Sequence, residues 1–252
     1  MKILLHISFL GTAYCGWQKQ KNGISVQQTV NNAVNTLFGF ECDLTGCSRT
    51  DSGVHANDFC AAVTEKGKNS IETAIPLDKI PVAASHFLPH DIAVTAAEAV
   101  NDSFHPRYSV KYKEYIYKIY NGEVISPFMY GRVWHYPRPL KENAAELMNN
   151  AAGYFCGRHD FTSYMASGSD ITDRTRTVMY ADVKECDGTF VFRVAADGFL
   201  YNMVRIMAGT LVAAGEGKIL PSDIESITSA CDRKKAGITA PACGLYLNRV
   251  VY

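Results

Sequence analysis

Apolar and polar residues alternate over the first nine positions, with Ile3, Leu5, Ile7 and Phe9 on one side of the alternation. A period of two is the mark of a strand. His6 and Ser8 also interrupt the apolar run that a secretory leader would need. Residues 11–23, with Trp17, Lys19 and Lys21, show no period and read as a long loop. Ser25 and Gln28 then form a capping-box pattern. Val26, Val30, Ala33, Val34 and Leu37 follow the helical period as far as Gly39, which is placed to end the helix. Strands are predicted over 41–48 and 58–64, the second with Phe59, Ala61 and Val63 on one face. A short helical stretch over 77–86 and a strand over 91–99 complete this part.

The remainder repeats the mixture. Strands are predicted over 109–120 and 131–136, then a helix over 140–152 with Leu140, Ala144, Leu147, Met148 and Ala151 on its apolar stripe and Gly153 after it. Strands over 176–186 and 189–197 precede a helix over 200–214 that stops at Gly215. Ser222 is placed to cap a helix over 223–234, and 245–251 forms a closing strand. The apolar spacing of the helix after Ser25 recurs in the helix at 140–152, a hint of two related halves. No low-complexity linker separates them. The expected fold is α+β with mainly antiparallel sheet, in an N-terminal half over 1–104 and a C-terminal half over 105–252.

Composition narrows the class. The chain has 252 residues, 47% hydrophobic and 20% charged, enough apolar surface for a real core. This excludes a disulfide-stapled miniprotein, a coiled coil and a disordered tail. The eight cysteines include no C-x-x-C pair, so neither a zinc ribbon nor a thioredoxin motif is available, and buried thiols in a reducing cytoplasm are expected. His86 and His90 have H-x-x-x-H spacing, but Pro89 between them spoils the helical face a metal would need. No run of 18 apolar residues could span a membrane.

The net charge is zero, with 25 basic and 25 acidic side chains, which argues against an indiscriminate polyanion binder. The charge is uneven, however. Residues 1–105 carry seven basic against ten acidic side chains, whereas 104–138 carry six against two, a local +4. Seven of the 14 tyrosines also lie between Tyr108 and Tyr136. Aromatic strand positions interleaved with cations serve equally as a packed core or as a stacking surface for single-stranded nucleic acid. Their coincidence with the basic segment favours nucleic acid.

Two further segments carry candidate chemistry. In Arg49-Thr50-Asp51-Ser52-Gly53-Val54-His55-Ala56, an Asp near a Gly between strands is ordinarily a turn residue. Arg49 and His55 on either side could instead hold Asp51 ionised, ready to act as a nucleophile or base. Arg205 lies in an apolar helical run with Met203, Val204, Ile206 and Met207, where it needs a partner or an exposed stripe.

These residues carry a resemblance. The segment 49–56 resembles the R-T-D-A-G-V-H-A signature of the TruA family of tRNA pseudouridine synthases. Tyr14-Cys15-Gly16-Trp17-Gln18 is similar to that family's Y-x-G-W-Q, and Phe104-His105-Pro106-Arg107 to its F-H-A-R. Tyr115-Ile116-Tyr117 matches Y-x-Y, and the segment from Gly157 to Ser163 is similar to G-x-H-D-F-S-S. Asn202-Met203-Val204-Arg205 and the segment from Ala240 to Leu247 complete the set, in the family's order along nearly the whole chain. The chain departs from the family pattern at Ser48, Ser52 and Tyr201.

The resemblance implies two ferredoxin-like halves joined across a central basic cleft, and a homodimer. It implies isomerisation of uridine to pseudouridine at positions 38 to 40 of the tRNA anticodon stem-loop, without cofactor or metal. Asp51 would be the nucleophile or base and Arg205 its ion-pair partner. Tyr115 would pack on the target base, and Leu245 would form an apolar wall. Arg49 and His55 would contact RNA or order the loop. Two other classes remain open beside it: a catalytically inactive or respecified RNA-binding paralogue, and a glycosidic hydrolase, for which no partner acid is identifiable.

Overall fold

The computed structural model describes residues 1–168 and 170–252, and the chain divides into two compact units. The first comprises Met1–Lys111 and Tyr246–Tyr252, and the second Tyr112–Leu245. The first unit thus extends past residue 104 and takes back the last seven residues.

In the first unit the elements run β1 (Lys2–Phe9), α1 (Val26–Phe38), β2 (Cys42–Gly46), β3 (His55–Glu65), α2 (Ile80–Ser85) and β4 (Ile92–Val100). β1 lies between β4 and β3, antiparallel to both. The last part of β3 pairs antiparallel with β2, and its start pairs in parallel with Tyr246 and Leu247 of the closing strand, β10 (Leu245–Val251). The alternation read in β1 is real, but Leu4 is buried as completely as Ile3, Leu5 and Ile7, because a central strand is covered on both faces. α1 begins as its capping pattern predicts: the Ser25 hydroxyl oxygen accepts from the Gln28 amide at 3.2 Å. Gly39 ends it in the left-handed conformation, at φ +76°. His86 and His90 are both exposed, and His86 only closes α2.

In the second unit β5 (Tyr112–Tyr120) is followed by a two-residue strand β6 (Trp134–His135), α3 (Ala144–Gly153), β7 (Gly157–Asp160), β8 (Thr175–Cys186), β9 (Thr189–Ala196), α4 (Met203–Gly215) and α5 (Asp223–Ser229). Its strands lie in the order β5-β9-β8-β7, all antiparallel, with β6 parallel beside β5. α3 packs on β8 and α4. The architecture is α+β with a mixed, mostly antiparallel set of strands. The eight cysteines are free thiols, and among the described residues no helix is long and apolar enough to cross a membrane.

Several boundaries differ from the periodic reading, each for a local reason. The helix expected from Leu140 begins at Ala144, because Pro137 and Pro139 hold the preceding chain extended. The one expected over 200–214 begins at Met203, because Asn202 adopts a left-handed φ of +58°. The one expected over 223–234 ends at Ser229, shortly before Cys231 turns left-handed at φ +47°. Ser222 makes no side-chain cap; the Asp223 carboxylate accepts from the Leu220 amide at 2.8 Å instead. The strand β7 was not anticipated; four residues are too few to show a period.

The loop before α1 is the least periodic part of the first unit and the most deeply anchored. Trp17 is 1% exposed and stacks on Phe59 of β3 at 3.9 Å between ring centroids. A Cβ at Gly46 would lie 2.5 Å from the Trp17 indole nitrogen, so the end of β2 is shaped to the ring. Trp17→Ala is expected to destabilise the protein by about 3–5 kcal/mol in urea unfolding. A loss below about 1 kcal/mol would mean that the loop collapses into the space left.

Candidate active site

The candidate groups fall into two clusters, one in each unit. The first is built on residues 47–54, which connect β2 to β3 and carry Arg49 and Asp51. The connection is longer than a hairpin needs, so its shape depends on bonds to the segment 11–17. Trp17 donates its amide to the Thr50 carbonyl at 3.2 Å, and Gly53 donates to the Tyr14 carbonyl at 3.3 Å. A turn closes over Asp51 itself, with the Val54 amide donating to the Asp51 carbonyl at 3.2 Å and Gly53 at φ +79°. The Y-x-G-W-Q and R-T-D-x-G-V-H segments are therefore one structural piece. Tyr14 is fixed from below by its hydroxyl, which donates to Asp91 at 2.7 Å.

Two glycines make the approach possible. Gly16 has φ +96°, and a Cβ there would lie 2.4 Å from the Thr50 carbonyl oxygen. A Cβ at Gly11 would collide with the Val54 carbonyl oxygen. Only glycine permits backbone against backbone at these points.

His55 is the first residue of β3 and is completely buried. Its Nδ1 accepts the Gly11 amide at 2.9 Å, and its ring stacks on Tyr246 at 4.6 Å. Of the two roles expected for His55, burial suits ordering of the loop and denies RNA access to the ring. Arg49 is exposed and Asp51 half-buried. Ser52, a departure from the family pattern, uses its hydroxyl to donate to the Tyr14 carbonyl at 3.2 Å, adding a bond within the same assembly.

The second cluster holds Tyr115, Arg205 and Leu245. Tyr115 sits mid-strand in β5 opposite Val194 of β9, 6% exposed, with Phe199 edge-on at 4.9 Å. Arg205 lies in the first turn of α4. Its Nε donates to the Ala240 carbonyl at 2.7 Å and its Nη1 to the Asn202 side-chain oxygen at 2.6 Å, which fix the plane of the guanidinium. Neither partner is legible from helical periodicity, and Asn202 earns its place only through its left-handed backbone. The 237–241 segment reaches Arg205 because α4 carries Gly209 there: a Cβ at Gly209 would lie 2.0 Å from the Ile238 carbonyl oxygen. The same segment is tied to β5, since the Tyr117 hydroxyl donates to the Pro241 carbonyl at 2.6 Å. Burial pushes the Tyr117 hydroxyl well above its usual pKa and keeps it a donor. Leu245 follows directly and is buried.

The segment from Gly157 to Ser163 has a structural role. Asp160 accepts from the Thr162 amide at 2.8 Å, and the Ser163 hydroxyl donates to the Ile227 carbonyl at 2.6 Å. It thereby ties the end of β7 to α5.

The first cluster depends on Gly16 more than on any side chain at its rim. Gly16→Ala is expected to cost at least about 2 kcal/mol in chemical denaturation, from positive φ and backbone collision together. A cost under about 0.5 kcal/mol would mean that the Asp51 turn is not braced by the 11–17 segment.

Comparison with known proteins shows the family. A family model described as tRNA pseudouridine synthase matches residues 151–252. Over the full length, the tRNA pseudouridine synthase A of Thermoanaerobacter sp. (strain X514) is 42% identical across 250 residues, covering 99% of both chains. That of Ruminiclostridium cellulolyticum is 45% identical across 253 residues, covering 100% of this chain and 99% of the relative. The Pelobacter propionicus protein of the same name is 40% identical over 250 residues, again covering 99% of each. Among solved structures, a chain of a Cbf5-Nop10-Gar1 complex aligns with 97% of this chain and 48% of that one at 14% identity, but its TM-score of 0.39 is too low to argue from. With identity of this order along its whole length, the chain belongs to the tRNA pseudouridine synthase A family.

Proposed function

We propose that the chain isomerises uridine at positions 38 to 40 of the tRNA anticodon stem-loop, with Asp51 as the nucleophile or base that starts the reaction. As a member of its family the chain converts uridine to pseudouridine in tRNA. In that conversion the bond from N1 of uracil to C1′ of ribose breaks and a bond from C5 to C1′ forms. The proton leaves C5 and N1 gains one, so composition is unchanged and no redox partner is required. One ionised carboxylate near the sugar suffices to begin it. The glycosidic bond is inaccessible inside a stack, so the target uridine must be turned out.

The observation that carries the reading is that Asp51 sits on a turn braced by segment 11–17 rather than on a loose loop. Preorganisation of this kind is what a reacting carboxylate needs. Arg205, already oriented by Ala240 and Asn202, serves as its ion-pair partner in this reading. Tyr115 packs on the uracil and stands to take part in removing the C5 proton, and Leu245 supplies an apolar wall. Arg49, exposed on the same loop, meets the RNA backbone. The β-α-β-β-α-β order of the first unit supports a ferredoxin-like half, and the second unit is read as its counterpart across a basic cleft. The protein acts as a cytoplasmic homodimer, a location with which eight free thiols accord.

Tritium release from tRNA labelled at uridine C5 tests the assignment. Asp51→Asn is expected to lose at least about 1,000-fold in release while retaining tRNA binding. Comparable release from Asp51→Asn and wild type would remove Asp51 from the chemistry. Tight binding with no release by wild type would favour the inactive RNA-binding paralogue. Tyr115→Phe is expected to keep tRNA affinity and slow turnover by about 10–100-fold; unchanged single-turnover kinetics would exclude its hydroxyl.

A further inference from the structure

A cluster outside these segments joins residues 52 positions apart in the chain. His6 of β1 lies directly opposite Cys60 of the antiparallel β3, so the two side chains share one face. Asp58 joins them because β3 is bulged there: residues 56 to 59 of β3 span only Phe9 to Ile7 of β1. On the other side β4 is bulged as well, the register shifting between His6 and Ile7. The β4 irregularity thus lies at His6, and the β3 irregularity one to three residues further along β1, between Ile7 and Phe9. Bulges of this kind recur where a strand re-aims a side chain for function.

The donor atoms are close. His6 Nδ1 lies 2.7 Å from Asp58 Oδ1 and 3.8 Å from Cys60 Sγ, and the sulfur lies 3.9 Å from the same carboxylate oxygen. Around a tetrahedral zinc ion, with bonds of about 2.0–2.3 Å, donors stand about 3.3–3.7 Å apart. The two edges to sulfur need to close by only a few tenths of an ångström. The 2.7 Å edge between His6 and Asp58 has to open by about 0.6 Å to admit the ion. On the far side of the ring, His6 Nε2 lies 3.5 Å from Glu98 Oε1, the position of a carboxylate that orients a metal-bound imidazole. Cys60 is fully buried, whereas His6 and Asp58 have side chains 25% and 29% exposed, so the cluster is reached from solvent on their side.

We propose that His6, Asp58 and Cys60 form a binding site for a zinc-like divalent cation that pins β1 to β3. The mixed sulfur, nitrogen and oxygen donor set suits a borderline-soft ion and disfavours magnesium or calcium. The site uses none of the groups assigned to uridine isomerisation. Tyr252 lies against Cys60. Imidazole and thiol coordinate only when deprotonated, so cation binding displaces protons from His6 and Cys60, and affinity rises with pH by about tenfold per unit for each proton displaced.

The test is titration of tag-free, chelator-stripped protein with Co²⁺, followed by competition with Zn²⁺. One equivalent should give a thiolate-to-cobalt charge-transfer band with tetrahedral visible absorption, stronger at pH 8 than at pH 6, and Zn²⁺ should bleach it. Cys60→Ser should lose the charge-transfer band. His6→Gln and Asp58→Asn, both at half-exposed positions and checked for folding by circular dichroism, should each weaken binding at least about 100-fold. Absence of a charge-transfer band in the wild type would overturn the site. So would a band that survives Cys60→Ser, since another thiol would then be the ligand, or unchanged affinity in the two other variants.

Discussion

Backbone-to-backbone contact between segment 11–17 and the Asp51 turn is the constraint on which the first unit's chemistry depends. The connection from β2 to β3 has no ladder of its own, so its polar groups and its shape must be satisfied by something packed beneath. Trp17 and Tyr14 supply that support through their main-chain atoms, and the side chains of both anchor downward, Trp17 on Phe59 and Tyr14 on Asp91. Glycine at 11 and 16 is the steric condition for it. In the role proposed for Asp51, a carboxylate held this way loses little freedom on meeting substrate, which is where much of the advantage of a rigid site lies.

The second unit solves a similar problem with a helix start. The role proposed for Arg205 requires a fixed guanidinium plane, which one turn of α4 cannot provide. Asn202 in the left-handed conformation and the Ala240 carbonyl do so together. The close approach of Gly209 to Ile238 delivers the 237–241 segment to that point, and the Tyr117 hydroxyl ties it to β5. The tyrosines thus divide by role. Tyr117 is a buried strut, whereas Tyr115 on the same face of β5 adjoins Phe199 and carries the proposed contact with the base.

Much of the fold was legible in the chain. The alternation in β1, the Ser25 cap and the Gly39 stop appear where the pattern put them, because each rests on contacts within a few residues. Helix starts near Leu140 and Leu200 were read too early, because prolines at 137 and 139 and a left-handed Asn202 override apolar periodicity. β7 is too short to show a period at all. Among the candidate site residues, Asp51, Tyr115 and Arg205 are legible as residue types in recognisable segments. His55 was visible too, but its burial against Gly11 and Tyr246 was not, since both partners are remote in sequence.

The sequence by itself determined the mixture of strands and helices, the uneven charge hidden under a zero total, and the chemical groups available. These depend on residue type and short spacing, which the chain states openly. Only the tertiary structure decided that the Tyr14–Trp17 segment underlies Asp51, that Ala240 and Asn202 orient Arg205, and that His6 meets Asp58 and Cys60. Each of these depends on strand register, a bulge or a backbone turn, and a shift of one residue in register would send the same side chains to the opposite face.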